Sequence, residues 1–89
     1  MFEWDPVKNQ SNREKHGVSF ETAKCIFDGP VASGVDTRED YGEERFIGIG
    51  RAGNAVLVVV YTYRGENTRL ISARPATRTE RGKYSDQIQ

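Results

Sequence analysis

The stretch from Leu70 to Tyr84, LISARPATRTERGKY, gathers an acid, a phenol and several guanidiniums at one junction. Those are side-chain types that acid–base chemistry at a phosphate draws on, arginine's planar fork matching two phosphate oxygens at once. The spacing allows two readings of Glu80. Thr77 and Glu80 have the T-x-x-E spacing of a capping box, in which Thr77 caps a helix and Glu80 reaches back to the cap amide. Alternatively, Glu80 and Tyr84 stack at i, i+4 with Arg81 beside them, and the carboxylate works on a ligand. Helix geometry alone does not choose. Outside this stretch, His16 is the chain's single histidine, and histidine's unperturbed pKa lies near neutrality.

The elements that must position these groups follow from periodicity. Phe2 to Trp4 reads as a short strand, and Asp5-Pro6 supplies a cap and a first-turn proline for a helix over VKNQSNREKH that Gly17 stops. That helix is polar nearly all round, Val7 excepted. It needs polar contacts to be stable, and Lys8, Asn12, Lys15 and His16 lie along one side of it. Ser19 caps a second helix, SFETAKCIFD, with Phe20, Ala23, Ile26 and Phe27 as its core-facing stripe. VASGV is a short strand, and DTREDYGEE an acidic loop with no apolar period, expected to be mobile. Period two then takes over. RFIGIGR, AVLVVVYTY and TRLISAR form a three-strand meander, broken at Ala52-Gly53-Asn54 and at Arg64 to Asn67. Pro75 ends the last strand, a helix follows, and the chain frays into a tail. The expectation is an α+β fold, an antiparallel sheet with two N-terminal helices and one C-terminal helix. The helices cover one sheet face and leave the other available. One domain spans residues 1–85, with a tail over 86–89.

At 89 residues there is room for one small domain, which buries about 60 to 70% of its unfolded surface. A hydrophobic fraction of 36% against 29% charged points to a modest core that a partner partly covers. The lone Cys25, expected to be buried, excludes an internal disulfide and fits a reducing compartment. No apolar run approaches membrane length and no signal peptide opens the chain, so a cytoplasmic protein without membrane contact is expected. The formal charge of zero conceals a division. Residues 1–45 hold six Lys/Arg against ten Asp/Glu, whereas residues 46–85 hold seven against two. The second group is arginine-dominated, which suits a polyanion surface or an ordinary exposed strand face.

The sequence resembles the BrnT toxins of bacterial type II toxin-antitoxin operons, small ribonucleases with a RelE-like fold. The likeness rests on Trp4-Asp5, Lys8, Asn12, Lys15-His16-Gly17, Phe20, Ala23 and Phe27-Asp28, then Gly42-Glu43, Arg45 and Gly50. Ile71-Ser72-Ala73-Arg74, Ala76, Glu80-Arg81 and Tyr84 complete it. It implies an mRNA-cleaving toxin that inhibits translation. It also implies neutralisation by a BrnA-like antitoxin whose ribbon-helix-helix domain binds operator DNA, in a 2:2 complex.

Metal-independent RNA cleavage requires a base for the 2′-hydroxyl, a cation for the charge developing at phosphorus and an acid for the leaving 5′-oxygen. The catalytic candidates are His16, Glu80, Arg81 and Tyr84; the RNA-binding candidates are Lys8, Lys15, Arg64 and Arg74. No cofactor is called for, and no carboxylate and histidine cluster has metal-ligand spacing. Each candidate has a structural rival. His16 could bond the last carbonyls of its helix, Lys8 and Lys15 could form a solvated face, Arg74 could pair with Glu80, and Arg64 sits in a hairpin turn. A non-catalytic RNA- or partner-binding module of the same fold is the alternative. A DNA-binding helix-turn-helix is the weaker third reading, because the polar first helix lacks the apolar scaffold.

Overall fold

The computed structural model describes residues 1–88, and Gln89, the last residue of the expected tail, lies outside them. In chain order the elements begin with β1 (Phe2–Glu3), α1 (Pro6–His16) and α2 (Phe20–Ala23), the last tightening into a 3₁₀ segment at Lys24–Asp28. Strands β2 (Val31–Val35), β3 (Phe46–Ala52), β4 (Ala55–Arg64) and β5 (Asn67–Pro75) follow, and α3 (Arg78–Ile88) closes the chain. The fold is α+β, with one five-stranded sheet ordered β1-β5-β4-β3-β2. Strands β2 to β5 pair antiparallel, but β1 runs parallel to β5, with Phe2 beside Thr68. The sheet is therefore mixed rather than antiparallel throughout. Alternation marks a strand but not the neighbour it joins, least of all a strand of two residues.

The first helix begins and ends where its caps require. Asp5 accepts from the Val7 amide at 2.9 Å, and Gly17, at φ 72°, donates its amide to Arg13 O. The polar contacts this helix needs come from Asn9 and Asn12. Asn12 is buried, and its amide group exchanges two hydrogen bonds with the backbone of Ala73 while also donating to Val18 O at 2.8 Å. It serves β5 as a substitute neighbour where β1 has already ended. Asn9 accepts from the Phe20 amide and donates to Glu21, fixing the start of α2.

The expected second helix is one α-helical turn followed by the 3₁₀ segment. Its stripe reaches the core as expected: Phe20, Ala23 and Ile26 are fully buried against Leu57, Val59, Tyr61, Leu70 and Ala73. Phe27 is only half-buried, its ring edge-on to Tyr61 at 5.0 Å. Gly50 explains the close approach of this segment to β3, since a Cβ there would sit 2.8 Å from Ile26 Cβ. Cys25, expected inside, is exposed. It falls one residue before Ile26, off the stripe.

The glycines of FIGIGRA face inward, so Ile47 and Ile49 face outward, where Lys83, Tyr84 and Gln87 of α3 line a small pocket with them. Helices thus lie on both sheet faces, two elements inside and α3 outside over the β2–β3 half. Residues 85–88, expected to fray, continue α3, which Tyr84 ties down through a 3.1 Å bond from its hydroxyl to Pro30 O. Strand β4, buried on both faces from Leu57 to Thr62, occupies the centre its composition called for.

Strand β5 carries an irregularity that decides which face its side chains take. Val60 lies opposite Ser72 but Tyr61 lies opposite Leu70, leaving Ile71 as an extra residue. Leu70 and Ala73, three apart, can therefore both point into the core, and both are buried.

Asn12 satisfies three backbone groups at once, so Asn12→Ala should destabilise the fold by about 3 kcal/mol, because each buried group left unpaired costs roughly 1 to 3 kcal/mol. Urea unfolding measures it. Asn12→Asp, which removes both donated bonds, should be comparably damaging, and a loss below about 1 kcal/mol in either variant would show the contact to be dispensable.

Candidate functional site

The bulge at Ile71 has a second consequence. Arg69 and Arg74 are five residues apart, which in a regular strand sets them on opposite faces. With the extra residue, Arg69 pairs with Thr62 and Arg74 with Val58, and both face outward. The same parity puts Arg51, opposite Val56, and Arg64, opposite Asn67, on that face, and Arg45 just before Phe46 joins them. Every arginine of the meander and its leading residue shares the outer face, away from the core. The basic composition of the C-terminal half is thereby concentrated on one surface.

Carboxylates hold most of these guanidiniums. Arg74 and Glu80 form a two-pronged pair, Nη1 to Oε1 at 2.7 Å and Nη2 to Oε2 at 2.8 Å. Arg69 meets Glu3, Arg45 meets Glu43 at 3.3 Å, and Arg64 lies 3.8 Å from Glu43. Glu80 also completes the capping box, accepting from the Thr77 amide at 2.8 Å while its own amide donates to Thr77 Oγ1 at 3.2 Å. The two rival roles of Glu80 are thus not exclusive, because one carboxylate caps α3 and fixes Arg74. The Arg74 fork, and next the Thr77 amide, hold the Glu80 carboxyl down at about 2 against an ordinary 4.5. At neutral pH it carries no proton to donate and has little affinity for one.

The other candidates are dispersed. Arg81 is exposed, donates to Ala76 O at 3.2 Å, and lines a groove of about 740 Å³ with Arg51, Asn54, Val56 and Pro30. Tyr84 lines that groove as well, but its hydroxyl is committed to Pro30 O. His16 is half-buried at the end of α1 and has no hydrogen-bond partner among the described residues. The last turn of α1 is closed by the Gly17 amide, and the bonds from the His16 side chain to the final carbonyls, one of its two alternative roles, are absent there. Lys8 and Lys15 are exposed on α1, whose inward side is Asn9 and Asn12. Among the described residues no group of three or more His, Cys, Asp or Glu side chains could hold a metal ion, and no helix is long and apolar enough to cross a membrane.

Arg45, Arg51 and Arg69 are the outer-face residues that the sequence reading did not single out as binding candidates. Parity could have found the first two, since they lie at even spacing from each other and at odd spacing from Gly48 and Gly50, whose faces pack inward. Arg69 needed knowledge of the bulge.

Compared with known families, residues 4–80 match the sequence model described as "Ribonuclease toxin, BrnT, of type II toxin-antitoxin system". Arg81 and Tyr84 lie beyond the matched span. No curated protein matches the chain.

Glu80 is held below its ordinary pKa, so the stability it supplies is complete above 4.5 and is lost as the pH falls through about 2. Thermal melts across this range should show native protein and Glu80→Gln farthest apart above about pH 5, the gap narrowing toward about pH 2. A gap that does not vary with pH would contradict the assignment.

Proposed function

The chain belongs to the BrnT ribonuclease toxins of type II toxin-antitoxin systems, and from that premise we propose a metal-independent endoribonuclease that cleaves mRNA and inhibits translation. RNA is the substrate of this family of toxins and an antitoxin the partner. The finer proposals are a BrnA-like antitoxin with a ribbon-helix-helix domain, a 2:2 complex that binds operator DNA through it, a cytoplasmic setting and a RelE-like fold.

The observation that carries the reading is the arginine-lined outer face ending at the Arg74–Glu80 clasp. A phosphodiester is an anion that gains charge as the 2′-hydroxyl attacks, and guanidiniums already held in place stabilise that charge without having to reorganise. Arg74 and Arg81, flanking the turn from β5 into α3, are assigned to the scissile phosphate. Arg64 takes a neighbouring phosphate, and Lys8 and Lys15 are assigned to outlying ones. Glu80, with its acceptors filled, is assigned to positioning Arg74 rather than to proton transfer, and Tyr84 to anchoring α3. Proton transfer is assigned to His16, the single imidazole, one turn beyond Asn12, whose bonds to Ala73 bring α1 to the edge of β5 next to Arg74. In an intramolecular attack it would take the proton from the 2′-oxygen, and the leaving 5′-oxygen would be protonated by His16 in its charged form or by water.

One observation favours the alternative of a binding module. No acid and base are assembled in contact, since Glu80 is committed to Arg74 and His16 touches no carboxylate among the described residues.

Incubation of the antitoxin-free protein with a defined RNA in excess EDTA separates the two. Cleavage should survive chelation, and Arg81→Ala should slow it about 100-fold, the usual effect of removing one donor to a transition-state charge. Because Arg81 is exposed, the variant should melt within about 2 °C of the native chain. A folded native protein that binds this RNA and leaves it intact would support the module instead.

A further inference from the structure

The loop between β2 and β3, expected to be acidic and mobile, is built around one buried carboxylate. The Asp36 side chain is 0% exposed. It accepts from the Arg38 amide at 3.2 Å, from Arg38 Nε and Nη2 at 2.8 Å each, and from the Tyr41 hydroxyl at 3.2 Å. Its own amide donates to Arg45 O at 2.7 Å, closing the loop, while Thr62 Oγ1 donates to Glu44 O and pins the loop end to β4. Above this buried acid the Arg38 side chain is 62% exposed. The Arg45 guanidinium stands 4.1 Å from the centre of the Tyr41 ring, an arrangement that supports a cation from below.

The Asp36 amide bond to Arg45 O and the Thr62 hydroxyl bond to Glu44 O close the loop. The fork from Asp36 to Nε and Nη2 of Arg38 does something further, since it fixes the plane of an exposed guanidinium and leaves its far edge in solvent. Asp36 lies on the outer face, because Val35 opposite Phe46 points inward. Glu80 chiefly holds the Arg74 guanidinium in its charged form, with Arg38 a small opposing influence across the same face. Guanidiniums that share one face are complemented by an anion, and phosphate oxygens match their planar fork.

We propose that the loop Asp36 to Arg45 is an RNA-phosphate clamp in which Arg38 and Arg45 contact the substrate backbone beside Arg74, and Asp36 and Tyr41 position those two arginines. This inference rests on RNA being the substrate. It adds a side of the binding surface, opposite α3, so that a strand crossing the outer face is gripped from the loop as well as from the α3 start. Arg38 is a substrate contact, and Asp36 a positioning residue that acts through it.

The test is the binding of a fluorescein-labelled, 2′-O-methylated RNA dodecamer, which cannot be cleaved through its 2′-oxygens, measured by anisotropy at several salt concentrations. For single strands each phosphate contact contributes about 0.7 to the slope of log affinity against log salt. Arg38→Ala should weaken binding about 5-fold at low salt and reduce the slope by about 0.7. Lys24→Ala, which removes an equal charge from the 3₁₀ segment on the inner side, should leave both unchanged. Arg38→Lys should restore the slope but only part of the affinity, because the ammonium cannot use the Asp36 fork. Removing the guanidinium leaves the buried Asp36 carboxylate with only the Arg38 amide and the Tyr41 hydroxyl as partners, so circular dichroism and a thermal melt establish that Arg38→Ala is folded, and Arg38→Lys, which keeps a charge at the position, carries the test if it is not. If Arg38→Ala behaves as Lys24→Ala does, the clamp is refuted while the ribonuclease reading stands. If it weakens capture of the antitoxin but not of RNA, the loop belongs to the protein partner and the clamp is equally refuted. Native protein that fails to bind the RNA overturns both.

Discussion

One residue too many in β5 governs this molecule. Without Ile71 as an extra, either Leu70 or Ala73 would leave the core, and Arg69 and Arg74 would take opposite faces. A bulge leaves ladder groups in need of partners and sharpens the local twist. On the other edge of the strand, where β1 has ended, Asn12 clasps both backbone groups of Ala73 two residues after the extra one. A polar helix is thus held to an apolar sheet through an amide, next to the irregularity that sets both the core positions and the parity of the arginine face. Stability and binding surface share one cause.

Four of the five arginines on that face, Arg45, Arg64, Arg69 and Arg74, lie within ion-pair distance of a carboxylate. Exposed pairs of this kind add little to stability. Their effect is orientational. A guanidinium held through two nitrogens loses its rotational freedom before any ligand arrives, so less is lost when a phosphate binds. Glu80 shows the arrangement in full, since the bonds that lower its pKa also cap α3 and aim Arg74. Asp36 repeats it in the loop, where the Arg38 fork, set against burial, holds its carboxyl well below the usual carboxylate range.

The sequence disclosed whatever is written in neighbouring residues. Asp5-Pro6 and Gly17 bound α1, Gly53-Asn54 and Gly65-Glu66 turn the meander, and the T-x-x-E spacing forms the capping box it announces. What lay hidden depends on partners distant along the chain. Asn12 and Ala73 are 61 positions apart, so nothing local marks Asn12 as buried. The bulge leaves no trace in the apolar alternation of LISAR, which reads as a regular strand in either parity. The pair Asp36 and Arg38 looked like part of a solvated acidic run because burial of the first and exposure of the second are decided by the sheet beneath them. Of the candidate site, the Arg74, Glu80 and Arg81 junction was legible. The extent of the arginine face was not.

Helix α3 connects these two scales. Glu80 and Tyr84 are one turn apart, and the first holds β5 through Arg74 while the second holds the start of β2 through Pro30. In the sheet order those strands lie on either side of β4 and β3. The helix is therefore a strap across the outer face, and its orientation is set by two side-chain ties rather than by a broad apolar stripe. Between the ties stands Gly82, where a Cβ would meet nothing within 4 Å. Steric crowding does not require glycine there, and glycine weakens a helix interior by about 1 kcal/mol relative to alanine. The strap is thus least stable between the clasp that aims Arg74 and the anchor that holds the helix down.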